Sequence, residues 1–112
     1  MTDSILDTTK LLIGIDPSIT VFDQQIISHI NSAFMILNQL GVGPDGGFSI
    51  SDNTTEWSEY TSGDTSIESV KTYMNKKVQY WFDPPQNGSA MSALENQIKE
   101  LEWRLNVEVD TE

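Results

Sequence analysis

Three sets of residues in this chain are of types that could do chemistry. Gly41, Gly43, Gly46 and Gly47 crowd together as they would in a loop whose backbone amides cradle phosphate. Such a loop also needs a Lys-Ser/Thr pair to reach the phosphates and a magnesium ion, and none follows, so the glycines read as a flexible turn. His29 is the one histidine. A histidine-based triad is conceivable on that count, whereas a two-histidine zinc site is not. It adjoins Ile26 and Ile30, where a boundary histidine with a structural hydrogen bond is the simpler expectation. Asp52, Glu56 and Glu59 could attract calcium, but their spacing lacks the alternating ligands and central glycine of an EF-hand loop. With no cysteine in the chain, thiolate metal sites, disulfides and cysteine nucleophiles are excluded. No catalytic residue, no metal and no cofactor is expected, and the chain does not read as an enzyme.

The elements that hold these residues belong to a chain of 112 residues, the size of one domain with one core. Seventeen acidic residues against six basic ones give a formal charge of −11, which opposes nonspecific binding to DNA phosphates or to an anionic membrane. No basic stretch precedes an apolar run at the N-terminus, and nothing approaches the roughly 20 apolar residues that cross a bilayer. A soluble intracellular protein with no membrane partner is expected.

Apolar spacing of three and four predicts the helices. A short one runs from Ser4 to Ile13, carries Ile5, Leu6, Leu11, Leu12 and Ile13, takes Asp3 or Ser4 as its N-cap, and ends at Gly14. Asp16-Pro17 then prepares a turn or a helix start. From about Phe22 to Leu40 a wide apolar face (Ile26, Ile30, Phe34, Leu37) predicts a central buried helix, with Thr20 and Asp23 as a capping box and Gly41 as its stop. Residues 41 to 63 form a long acidic stretch in which Phe48 and Ile50 alternate as a brief strand and Thr55 to Tyr60 form one helical turn anchored by Trp57. Thr65 and Glu68 cap a second long helix, with Ile67, Val70, Met74, Val78, Trp81 and Phe82 as its buried stripe. "DPPQNG" breaks the chain, and a last helix from about Ser89 to Leu105 presents Met91, Leu94, Ile98, Leu101 and Leu105. After Leu105 the rhythm changes: Val107 and Val109 alternate with Glu108 and Asp110, as on a strand. The expected fold is all-α, a small bundle of three to four principal helices with a long acidic loop. The helical domain covers residues 1–106, and 107–112 form a short extended C-terminal tail.

Two surface features stand out. Trp103 lies opposite the inward seam of its helix, so it covers a neighbouring helix or awaits a partner. With Arg104, Val107 and Val109 it forms a candidate interface for a partner. The second feature is separated charge. The acidic loop carries Asp45, Phe48, Asp52, Glu56 and Glu59. Lys71, Lys76 and Lys77, sharing the outer faces of their helix with Tyr73 and Tyr80, are a candidate basic face for a head-to-tail contact between subunits.

The wording of "HINSAFMILNQLGVGP", "SVKTYMNKKVQYWFDPP" and "ALENQIKELEWRLNVEVD" resembles the small head-tail connector proteins, also called head-completion or adaptor proteins, of tailed bacteriophages and Gram-positive prophages. The resemblance spans about Leu11 to Asp110. It implies a structural protein of virion assembly, a helical bundle that forms a twelve-fold ring under the portal and can be a monomer alone. It implies the portal and a stopper or tail-completion protein as partners, and a channel through which DNA passes without specific binding. The implied location is the host bacterial cytoplasm during assembly and then the virion neck. It further implies that Trp103 through Val109 engage the portal or adjacent subunits, and it makes the loop of Asp45, Phe48, Asp52, Glu56 and Glu59 a candidate channel or inter-ring surface. A second reading of the acidic composition is a DNA mimic that inhibits a host DNA-binding protein, although the densest acids lie in a loop and not along a helix.

Overall fold

The computed structural model describes residues 4–43, 46–60 and 67–110, the last three by backbone alone. In chain order the elements are α1 (Ile5–Leu12), α2 (Asp23–Gln39), the single turn α3 (Trp57–Tyr60), α4 (Ile67–Phe82) and α5 (Gly88–Asp110). The described residues hold no strand, only an isolated antiparallel bridge between Ser4 and Glu56. The fold is an all-α small bundle, as the spacing predicts.

The starts of α1 and α5 follow from local chemistry. Ser4 caps α1, its hydroxyl accepting from the Asp7 amide at 3.2 Å. Gly14, at φ +90°, turns the chain out of the helix. Asn87 caps α5, its carbonyl oxygen accepting from the Ser89 and Ala90 amides at 2.8 and 3.1 Å. The Thr20/Asp23 capping box does not form: Phe22 is the N-cap of α2 and no side chain bonds there. Asp23 is drawn instead to Lys10. Thr65, the other expected box residue, lies outside the described residues, as do Asp3 and Asp45.

Helix α4 is the centre of the bundle, in contact with α1, α2 and α5. Phe22 meets Phe82 at one end of it, 5.4 Å between ring centroids. At the other end the Asn106 amide reaches the Leu40 carbonyl at 3.4 Å. So α2 and α5 each run antiparallel to α4. This central position corrects the reading of Tyr73 as an outer residue. With helices on more than one side, α4 buries Tyr73 together with Val70, Met74 and Val78, while Ile67, Trp81 and Phe82 are only partly covered.

The long acidic stretch is pinned to the core, not draped over it. Phe48, Trp57 and Tyr60 close on Phe34 at centroid distances of 5.2, 6.1 and 4.9 Å. The Trp57 indole donates to the Thr8 hydroxyl at 2.9 Å. The expected strand at Phe48 and Ile50 is absent for a specific reason. Asn31 supplies from its side chain both bonds a neighbouring strand would make, accepting from the Ile50 amide at 2.8 Å and donating to the Ile50 carbonyl at 2.9 Å.

The C-terminal stretch is the second correction. Helix α5 continues through Val107 to Asp110, so these residues are helical and not extended; 111 and 112 lie outside the described residues. Once a helix is nucleated each further residue adds one backbone bond, and valine costs only about half a kcal/mol relative to alanine. Four alternating residues without a strand to pair with do not offset those bonds.

Candidate functional site

Helix α5 has two unlike faces. Its inner face is bound to α4. Leu94, Ile98 and Leu105 are buried. The Tyr73 hydroxyl donates to Glu102 at 2.7 Å, and the Tyr80 hydroxyl donates to Glu95 at 3.1 Å. Burial first, then the Glu102 carboxylate, holds the Tyr73 phenol well above its usual range; at Tyr80 the hydrogen bond to Glu95 raises it. Lys77 stands 3.6 Å from Glu102 and 5.0 Å from the Trp81 ring centroid.

The outer face carries Trp103, which is 65 % exposed. Lys99, Trp103 and Val107 follow one another at a spacing of four, one ridge along the helix, with Arg104 beside it. A shallow groove of about 290 Å³ opens between this ridge and Ser69 at the start of α4. Arg104 has only a long contact to Glu100, 3.8 Å, with both side chains largely in solvent, so its charge stays available. Among the six cations of the chain, all of them in described residues, Lys99 and Arg104 are the two that are exposed. The side chain of Val109 is outside the described residues.

The structure separates the other residues singled out by sequence. Asp52, Glu56 and Glu59 are exposed. The first closes a local turn, accepting from the Thr54 amide and hydroxyl, which holds its carboxyl below the usual range; Glu59 accepts from the Glu56 amide at 2.9 Å. Phe48 belongs to the core cluster around Phe34 and so anchors the loop. None of Lys71, Lys76 and Lys77 is fully exposed. Lys71 lies 3.8 Å from Glu68 and over the Trp57 ring, and Lys77 is held between α4 and α5. His29 is a boundary residue against Trp81, centroids 5.7 Å apart, but the expected hydrogen bond is missing at its buried Nε2.

Lys10 escaped the sequence reading. It is fully buried, and its ammonium donates to the Pro17 carbonyl at 3.0 Å, the Ile19 carbonyl at 2.6 Å and the Asp23 carboxylate at 2.7 Å. Three donors meet three acceptors, which is what a buried ammonium requires. With Ile5, Leu6 and Thr9 it makes up the inner face of α1, so Leu11 and Leu12 point to solvent.

A protein-family model described as "Phage connector protein" matches residues 5–112. No curated protein and no solved structure matches the chain.

Proposed function

The chain belongs to the phage connector protein family, and from that premise we propose that it is a structural adaptor of the head-tail connector. Membership gives it a structural role in the phage and association with other head or tail proteins. On our reading, copies form a ring under the portal, extend the DNA channel and join the head to the stopper or tail. Assembly takes place in the host cytoplasm, and the finished ring sits in the virion neck. The role asks for rigid packing and adhesive outer surfaces, not for a reactive centre.

The observation that carries this reading is the division of α5. One face is tied to its own domain through Tyr73, Tyr80 and Lys77, while the other presents Trp103 to solvent. An exposed tryptophan flanked by cations has the composition of a binding hot spot. Because residues 107–110 are helical, docking at the portal or a neighbouring subunit takes place through a helix face, not through an added strand.

Trp103→Ala tests the assignment. The far-ultraviolet circular dichroism and unfolding midpoint of the isolated chain should stay unchanged, while incorporation into assembled necks weakens by about 2 kcal/mol or more. A cryo-EM map of the neck with no ring built from this chain would overturn the proposal, and an unfolded Trp103→Ala variant would make Trp103 a core residue instead.

A further inference from the structure

The exposed large apolar residues fall mainly into two groups. One is the Trp103 and Val107 ridge. The other is Leu11, Leu12, Ile19, Val21 and Phe22, where α1 gives way to α2; Val21 is 78 % exposed. The groups sit at opposite ends of the bundle. Phe22 touches Phe82, the last residue of α4, whereas Trp103 shares its groove with Ser69 near the first turn. Thirteen helical positions separate Ser69 from Phe82, about 20 Å at roughly 1.5 Å per residue.

The α1–α2 patch is built to keep its shape. The Lys10 ammonium holds the Pro17 and Ile19 carbonyls and Asp23 at once, and Asp16 closes the turn by accepting from the Ser18 amide and hydroxyl. A patch so fixed loses little conformational freedom on binding. Its surroundings are acidic: Asp16 and Asp83 are exposed there, and the one nearby cation of α1, Lys10, is buried. The Trp103 ridge differs, an apolar surface flanked by the chain's two exposed cations, with one exposed carboxylate, Glu100, 3.8 Å from Arg104.

We infer that these two surfaces are partners in neighbouring copies. The patch of Leu11, Leu12, Ile19, Val21 and Phe22 of one subunit seats on the Trp103 and Val107 ridge of a second copy. Asp16 and Asp83 of the first subunit then face Lys99 and Arg104 of the second. Two different patches far apart on one molecule make a heterologous contact, which propagates head to tail and closes into a ring when the rotation allows. Opposite charges at the rim fix the register and discourage the patch-to-patch and ridge-to-ridge pairings, which would set like charges together. The inference rests on the ring reading above and adds which surfaces meet.

The chain has no cysteine, so single cysteines report contacts without background. Val21→Cys and Val107→Cys are made separately, leaving Trp103 in place, and mixed in a glutathione redox buffer. A 21–107 disulfide should form in several-fold excess over 21–21 and 107–107, and Trp103→Ala in the Val107→Cys chain should lower its yield about tenfold or more. Homodisulfides equal to or above the mixed one would overturn the pairing, and so would the absence of any disulfide. A virion neck that nonetheless contains a ring of this chain would then leave the ring reading standing with a different contact, whereas a neck without such a ring would remove that reading itself.

Discussion

Two residues carry the most testable chemistry in this small domain, and both act through burial. Lys10 places a charge where no water can solvate it and compensates with two carbonyls and the Asp23 carboxylate. Lys10→Met keeps the apolar stem and removes the ammonium, leaving three acceptors unmatched. Asp23 is partly exposed and can regain some water, so the expected loss is near the lower end of the usual range, about 3 kcal/mol. Urea unfolding followed by tryptophan fluorescence checks it; a change below about 1 kcal/mol would mean the clasp is dispensable. His29 is the second. Desolvation against Trp81 and Phe82 holds its pKa below the ordinary 6.5. Lys77 over Trp81 is a like charge that adds no partner for an imidazolium, and Asp83, next to Phe82, is exposed to solvent. The unfolded chain therefore takes up this proton before the folded one does. Stability should be level above pH 6.5 and fall as the pH drops through and below it, and His29→Gln should flatten that slope between about pH 7 and 5.

At the scale of elements, what was legible in the sequence was whatever depends on near neighbours. Helices α2, α4 and α5 follow from apolar residues three and four apart, a signal contained within each helix. Trp57 as the anchor of one turn, and Trp103 facing away from its seam, follow from the same geometry. What was not legible depends on distant partners. Lys10 is bound by groups seven, nine and thirteen residues on, two of them carbonyls that every residue carries. Tyr73 looks peripheral until α5 covers it. The alternation of Val107 with Glu108 was too short to specify a strand, and it can be tested directly. If the backbone there is helical, Val107→Gly should leave the monomer about 0.8 to 1 kcal/mol less stable than Val107→Ala, because both changes remove the partly buried side chain and only helix propensity separates them. An extended, unpaired segment would show almost no difference between the two. The loop after α2 offers a larger effect. Gly43 holds φ +95°, and a methyl group there would lie 2.5 to 2.9 Å from the Tyr60 ring and hydroxyl. Gly43→Ala therefore both strains the backbone and pushes Tyr60 off Phe34 and Phe48, and should cost about 2 kcal/mol or more in thermal unfolding.

To assemble as proposed, the whole molecule must reconcile a charge of −11 with self-association. At about 0.01 M salt the Debye length is about 30 Å, comparable with the 40 × 36 × 23 Å extents of the domain, so charges across the whole of one copy act on the next and the two net negative charges repel. At about 0.15 M it is about 8 Å; remote repulsion fades, while carboxylates of the patch and cations of the ridge that meet within a few ångströms still attract. Near 1 M, at about 3 Å, those contacts weaken too, but burial of Trp103, Val107 and Val21 does not. A duplex in the channel of the proposed ring would meet the same balance from the other side. With only Lys99 and Arg104 exposed, there are too few phosphate contacts for nonspecific affinity, and these two are occupied in the proposed ring. Sedimentation velocity from low to high salt should therefore show association rising steeply up to about 0.15 M and changing little beyond it. A monotonic fall would mean that ion pairs alone hold the copies together and that the apolar surfaces at the two ends of α4 do not meet.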